Sequence, residues 1–212
     1  MATDRELSVL LALLGAVFFW SLIAPHDGPT WVMEALPVII AVPLLMLSRR
    51  SFPLTRMVYY LIFFHALILL VGAHYTYARV PVGNWVADAL DLERNHYDRF
   101  AHLIQGFVPA IIAREILLRL GVLTRGKWLF FLVCCFCLAF SALYEIIEWQ
   151  AAVWGGDGSM DFLGVQGDVW DAQWDMTLAL IGSVLGQWWL ASRHDSQLAA
   201  VEQAGNRARS IK

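Results

Sequence analysis

Six long apolar runs leave this chain few ways to fold. They cover roughly Leu7–Ala24, Trp31–Ser48, Met57–Ala78, Phe100–Leu120, Trp128–Gln150 and Trp170–Ala191. At about 1.5 Å per residue, a helix of some 20 residues crosses the ~30 Å hydrocarbon core of a bilayer. Only helices and closed barrels satisfy their backbone hydrogen bonds in lipid, and runs this long read as helices. The sequence therefore predicts an all-α polytopic membrane bundle of six transmembrane helices over residues 7–191, followed by a polar cytoplasmic tail over residues 192–212. That tail is expected to be a short helix or disordered. Composition points the same way. Only 16% of the 212 residues are charged, against about 25% in soluble domains. The formal net charge of −3 gives no basic surplus for nucleic acid, so the expected partner is the lipid bilayer. Cys134, Cys135 and Cys137 lie inside an apolar run and are expected to pack as small hydrophobes. The first run is not expected to be a signal peptide, because Asp4 and Glu6 offset Arg5.

The basic residues set an orientation. Arg49, Arg50 and Arg56 lie between the second and third runs, Arg119, Arg125 and Lys127 between the fourth and fifth, and Arg193, Arg207, Arg209 and Lys212 after the sixth. The segments 25–30 and 151–169 contain no Lys or Arg. Both termini are therefore expected in the cytoplasm. Trp20, Trp31, Trp149, Trp154, Trp170 and Trp174 would mark the outer boundary, and Trp128, Trp188 and Trp189 the inner one. No internal repeat is visible, which gives no support to an inverted-repeat transporter.

This topology sends most of the intramembrane acids and imidazoles to one end. Glu34 lies near the outer end of the second run, and His74, Tyr75 and Tyr77 end the third. Asp98 and His102 open the fourth at i, i+4; Tyr144, Glu145 and Glu148 end the fifth; Asp168, Asp171 and Asp175 open the sixth. Such a group of acids cannot all stay ionised without cations. Three resolutions are open: a divalent metal, pairing with Arg79, Arg94 or Arg99, or protonated acids serving as relay or general acid. The candidate catalytic residues are Asp98, His102, Glu145, Glu148, Asp171 and Asp175, with His102, Glu148, Asp171 and Asp175 as candidate metal ligands. Blander roles stand beside these. Asp168 suits a helix N-cap, His65 a hydrogen-bonded core position, and Arg114 with Glu115 a snorkelling or structural pair. The Gly-rich stretch 154–167 reads either as a lid over the outer mouth or as an ordinary connection.

Several motifs are familiar in combination. They are Gly72-Ala-His74-Tyr75-Thr-Tyr77, Arg94-Asn95-His96-Tyr97-Asp98-Arg99 with His102, Tyr144-Glu145 with Glu148-Trp149, and Gln166-Gly167-Asp168-Val-Trp170-Asp171-Ala-Gln173-Trp174-Asp175. Together they resemble the YjdF-like family of bacterial inner-membrane proteins, from about residue 7 to residue 195. The resemblance implies a small multi-pass inner-membrane protein and supplies no catalytic assignment. Gly167-x3-Asp171-x3-Asp175 is also similar to the last part of the metal-binding signature of CDP-alcohol phosphotransferases, but the first part of that signature is absent. The acidic start of the sixth run, with Gly182 and Gly186 below it, looks somewhat like the VanZ-like membrane proteins, although close helix packing explains the glycines equally well.

Three functional readings follow. The first is a metal-assisted enzyme acting on a lipid or envelope metabolite through an outward-facing acidic pocket. The second is a cation- or proton-coupled transporter. The third is a non-catalytic membrane subunit in which the acids only join helices.

Overall fold

A computed structural model describes residues 2–155 and 166–210. The described residues form seven α-helices and no strand: α1 Asp4–Leu22, α2 Gly28–Ser48, α3 Arg56–Tyr75, α4 Pro81–Leu90, α5 Tyr97–Arg119, α6 Lys127–Gly155 and α7 Asp171–Ser210. A 3-10 turn, Tyr77–Arg79, links α3 to α4. Five segments, Asp4–Leu22, Gly28–Ser48, Arg56–Tyr75, Tyr97–Arg119 and Lys127–Trp154, are long and apolar enough to cross a membrane. The sixth expected run lies inside α7, where Asp171, Asp175 and Gln187 dilute the apolar stretch.

Local chemistry sets the helix ends. Thr3 and Glu6 form a capping box at the start of α1, and the Asp27 carboxylate accepts the Thr30 amide at the start of α2. The short α1–α2 connection turns the two helices together. Trp31 donates its indole N–H to Ser21 Oγ (3.1 Å) and meets Phe18 edge to face. Trp31 is therefore buried, not a belt residue. Trp149, Trp154, Trp170, Trp128, Trp188 and Trp189 are exposed as the sequence suggests. The connection between α3 and α5 contains α4, which the apolar-run reading did not anticipate. It buries Gly83 and Ala87 while exposing Val82, Trp85, Val86 and Leu90, the pattern of a helix lying in a membrane interface.

Two groups of three helices meet along α3 and α5. Leu14, Trp31, Ala35, Leu70 and Ala73 form the core of α1, α2 and α3. Ala110, Ala113, Leu129, Val133 and Cys137 pack α5 on α6. Val58 and Ile111, with Leu54, join α3 to α5.

The closest seam is between α5 and α7. A Cβ at Gly106 would collide with the Ala179 carbonyl, and one at Gly182 with the Leu103 carbonyl. At Gly186 a Cβ would come within 2.6 Å of the Phe107 carbonyl oxygen. Small residues thus bring two backbones into direct contact, the mode by which helices associate without a hydrophobic driving force. The seam continues beyond the expected end of the sixth run: α7 is unbroken past residue 192, with His194 fully buried and Leu198 nearly so.

A methyl group at this seam has nowhere to go. Gly182→Ala is expected to lower stability by about 1–3 kcal/mol through overpacking. Gly15→Ala, where the added atom meets nothing within 4 Å, is expected to stay within about 0.5 kcal/mol of the parent. Thermal unfolding of the detergent-solubilised proteins checks the pair.

Candidate functional site

The α5–α7 seam carries a polar cluster at each end. At the basic end, Glu115 is fully buried and every contact it makes is matched. Its carboxylate accepts the Thr55 amide (2.8 Å), the Thr55 hydroxyl (2.7 Å), Arg119 NH1 (2.9 Å) and His194 Nε2 (3.0 Å). Arg114 reaches His194 Nδ1 at 2.9 Å and Asp195 at 2.8 Å. Arg125 also donates to Asp195 at 2.8 Å. Burial alone would raise the Asp195 carboxyl, but the hydrogen bonds from Arg125 and Arg114 hold it below the ordinary carboxylate range. The network ties the N-terminus of α3, the end of α5 and the lower half of α7. In it both carboxylates, Glu115 and Asp195, meet guanidinium donors. The sequence suggested only a structural Arg114–Glu115 pair; in the structure each residue has a different partner.

The acidic end is built differently. Asp98 and His102 stand one turn apart on α5, Glu145 and Glu148 on α6, and Asp171 and Asp175 on α7. Asp98, His102, Asp171 and Asp175 are buried. Asp98, His102 and Asp175 each offer one ligand atom, and these atoms lie within 4.8 Å of one another. His102 Nε2 is 3.6 Å from Asp98 Oδ1 and 3.7 Å from Glu145 Oε1. Both distances exceed a hydrogen bond. They are close to the ~3.0–3.4 Å separating neighbouring donors around a cation with bonds of about 2.1 Å. Glu148 lies within electrostatic reach of Glu145, Asp98, Glu34 and Asp175, and buried Glu34 within reach of Asp98. The expected six residues are thus brought together on one side of the bundle. The compact set is Asp98, His102 and Asp175, while Glu148 stands off from it and Asp171 faces arginine.

Two arginines line one flank. Arg94 NH1 lies 2.7 Å from Asp171 Oδ1 and 3.6 Å from Asp168 Oδ2. Arg99 NH2 lies 2.5 Å from Asp168 Oδ2, and its guanidinium sits over the Trp174 ring at 5.3 Å. Asp168 is not the N-cap of α7, which begins at Asp171. Its carboxylate accepts the Trp170 amide (2.9 Å) in the turn just before the helix. That hydrogen bond, joined by Arg99 and Arg94, lowers the Asp168 carboxyl below its ordinary value. Because the shift is downward, its contribution is present at neutral pH and fades as pH falls through the aspartate range. Burial, then Arg99 and Arg94, push the His96 imidazole down, so it stays neutral near pH 7 and adds no cation.

The segment beside Arg94 is anchored by side-chain amides bonded to backbone. Gln166 and Asn95 exchange hydrogen bonds: Asn95 N–H to Gln166 Oε1 (3.0 Å) and Gln166 Nε2 to Asn95 C=O (2.9 Å). Asn95 Nδ2 also donates to the Val80 carbonyl (2.9 Å), and Asn95 Oδ1 accepts the Tyr97 amide (2.9 Å). The entry to α5 is thereby clamped to the entry to α7. The sequence marked both residues within motifs without assigning this role.

Other expected contributors lie elsewhere. The His74 ring packs on Trp20 and Tyr75 and meets the Ser21 carbonyl at 3.2 Å, joining α3 to α1. His65 lies within electrostatic reach of His102, extending the polar cluster one layer deeper. Cys134, Cys135 and Cys137 are free, and Cys137 Sγ approaches the Gly106 carbonyl at 3.6 Å. The stretch 154–167, read as a lid or a connection, falls mostly outside the described residues.

The two ends differ in hydrogen bonding. Among the described residues, Asp175 Oδ1, Glu145 Oε1, His102 Nδ1 and Glu34 Oε2 are buried without a hydrogen-bond partner. Such atoms cost stability unless something fills the space. Asp175→Asn is therefore expected to leave stability in metal-free solution unchanged or raised, because it removes a poorly compensated buried charge. Glu115→Ala strips the partner from a matched buried network and is expected to cost about 3–5 kcal/mol. Comparing the two melting temperatures checks this contrast between the matched and the unmatched end.

Comparison with known proteins accords with this picture of a helical membrane chain. A family model described as "Predicted membrane protein (DUF2238)" matches residues 6–196. The chain is 53% identical over 186 residues to the protein named "Inner membrane protein YjdF" from Escherichia coli K12, covering 87% of this chain and 88% of that protein. No solved structure matches. The chain belongs to the DUF2238 family of membrane proteins.

Proposed function

We propose that this is a multi-pass protein of the bacterial inner membrane that binds a divalent cation at its acidic end and uses it in a metal-assisted reaction on a lipid or envelope metabolite. α1, α2, α3, α5, α6 and the first half of α7 make six crossings, with residues 7–191 as the membrane domain and residues 192–212 on the cytoplasmic side. The Arg-rich connections then lie in the cytoplasm and the acidic cluster faces outward. The inner-membrane location also rests on the name of the Escherichia coli relative.

One observation carries the cation reading: buried carboxylate and imidazole atoms of Asp98, His102 and Asp175 converge while Asp175 Oδ1 and His102 Nδ1 lack partners among the described residues. Two carboxylates and an imidazole suit Mn²⁺, Zn²⁺ or a similar borderline cation. Glu145, beside His102, is placed to act as general base or acid, and Glu148 to complete the ligand set as the site closes on its substrate. Asp171 holds Arg94 toward the site as a counter-charge. A bound cation would polarise a substrate oxygen or activate a water.

The middle of the seam favours an enzyme over a carrier. Below His102 the α5–α7 contact is made by Gly106, Gly182 and Gly186 against backbone, and Val108, Ala110 and Ile111 are fully buried. This tight layer, whose buried polar residues Ser183 and Gln187 bond to backbone carbonyls, separates the acids from Glu115 and His194 and works against a continuous polar path.

Equilibrium dialysis of the purified full-length protein against Mn²⁺, with bound metal counted by elemental analysis, tests the reading. About one ion per chain is expected, with affinity reduced at least about tenfold in Asp175→Asn and His102→Ala. The absence of stoichiometric metal in the parent, or binding indifferent to both substitutions, would overturn the site. In liposomes, the protein is expected to conduct no Mn²⁺; rapid influx would replace catalysis with transport.

A further inference from the structure

Away from the acidic cluster, α1 and α2 form a V. They are joined near the acidic end through Trp31, Ser21 and Phe18, and both rest on α3. Toward the basic end they diverge. The gap is an apolar slot of about 200 Å³ walled by Leu10 and Leu14 of α1 and by Val42 and Met46 of α2, floored by Ile62 and Phe63 of α3. At its mouth lies a second hollow of about 520 Å³ bordered by Asp4, Arg49, Arg50 and Tyr59. Leu7, Met46, Arg49 and Tyr59 line both, so slot and hollow are continuous.

We propose that this site binds one anionic phospholipid from the leaflet at the basic end, an acyl chain in the slot and the phosphate at Arg49 and Arg50. The slot is walled mostly by apolar side chains, with Arg49 and Tyr59 shared with its mouth, and that mouth carries two guanidiniums against one carboxylate. Asp4 pairs with Arg49 now, but the Asp4 side chain is 93% exposed, and solvent-exposed pairs contribute little. A phosphate offers the same guanidinium a bidentate partner. A helix, about 10 Å across, is too wide for a space of this volume. The charge at the mouth argues for an anionic head group over a neutral one. The inference rests on the chain being embedded in a membrane, not on the cation site, and stands if that site fails.

The test uses full-length protein in nanodiscs containing equal amounts of phosphatidylglycerol and phosphatidylcholine with identical acyl chains. Native mass spectrometry after release counts the lipids retained. The parent is expected to keep one phosphatidylglycerol at least about fivefold over phosphatidylcholine. The double variant Arg49→Gln/Arg50→Gln is expected to keep both lipids equally, and Leu10→Trp, which fills the slot, to keep less of either. Millimolar glycerol phosphate is expected to displace nothing. Equal retention of the two lipids by the parent would overturn the proposal even if the variants fail to fold. So would a preference that survives loss of both arginines, or displacement of the lipid by glycerol phosphate alone.

Discussion

Backbone-to-backbone contact between α5 and α7 is the constraint on which the rest of this structure depends. In lipid, apolar side chains gain nothing by leaving one another for a helix partner, so close approach of small residues supplies the association. Gly106, Gly182 and Gly186 allow it here. With the two axes locked, every residue on the facing stripes has a fixed opposite number. Asp98 and His102 meet Asp175 near one end, and Arg114 and Glu115 meet His194 and Asp195 at the other. A looser seam would let each acid retreat toward water; this one holds them in register.

The same seam holds two polar clusters of opposite character. Around Glu115 each acceptor meets a donor, and its contacts at 2.7–3.0 Å reach the N-terminus of α3, the end of α5 and α7. Removing any one member leaves the others buried and unmatched, so the network behaves as a clamp. Around His102 the balance runs the other way. Carboxylates outnumber the nearby guanidiniums, and Arg94 and Arg99 are already engaged by Asp168 and Asp171. Burying surplus negative charge opposes folding, and it persists in proteins where the charge is needed for binding or chemistry. The amide clasp between Asn95 and Gln166 is consistent with that trade. It joins the segment that carries Arg94 to the segment that carries Asp168.

Much of this was legible in the sequence, because lipid enforces simple rules. Length and hydropathy located the apolar helices, and charge asymmetry with alternating direction sent Asp98, Glu145 and Asp171 to one end before any contact was known. Periodicity carried more than the apolar runs revealed. Positions 171, 175, 179, 183, 187, 194 and 198 follow a stripe that winds slowly round α7, and Asp171, Asp175, Ala179, Ser183, Gln187, His194 and Leu198 are all buried. Reading hydropathy alone ended the stripe near residue 191, because a polar residue on a buried face lowers the apolar score without breaking the helix. His194 was missed for that reason. α4 was missed because a ten-residue interfacial helix is too short to register as a span. Asp168 was expected to cap α7 itself; Asx chemistry instead placed its carboxylate on the turn before the helix. The pairing of specific arginines with specific acids was not readable, since it depends on the rotation of each helix about its axis.

What separates the two clusters also limits what the protein can do. Between His102 and Glu115, α5 presents Gly106, Val108, Ala110 and Ile111, all buried, and α7 answers with Ala179, Gly182 and Gly186. A hydrated ion crossing that layer would have to force apart backbones already in van der Waals contact, and the buried polar side chains beside it, Ser183 and Gln187, hydrogen-bond to backbone carbonyls and to Cys134. The tight middle and the matched far end supply the rigidity that a strained cluster of acids requires, because a cluster on mobile helices would relax by spreading apart. Stability stored at one end of the α5–α7 seam thus sustains the unfavourable charge density at the other.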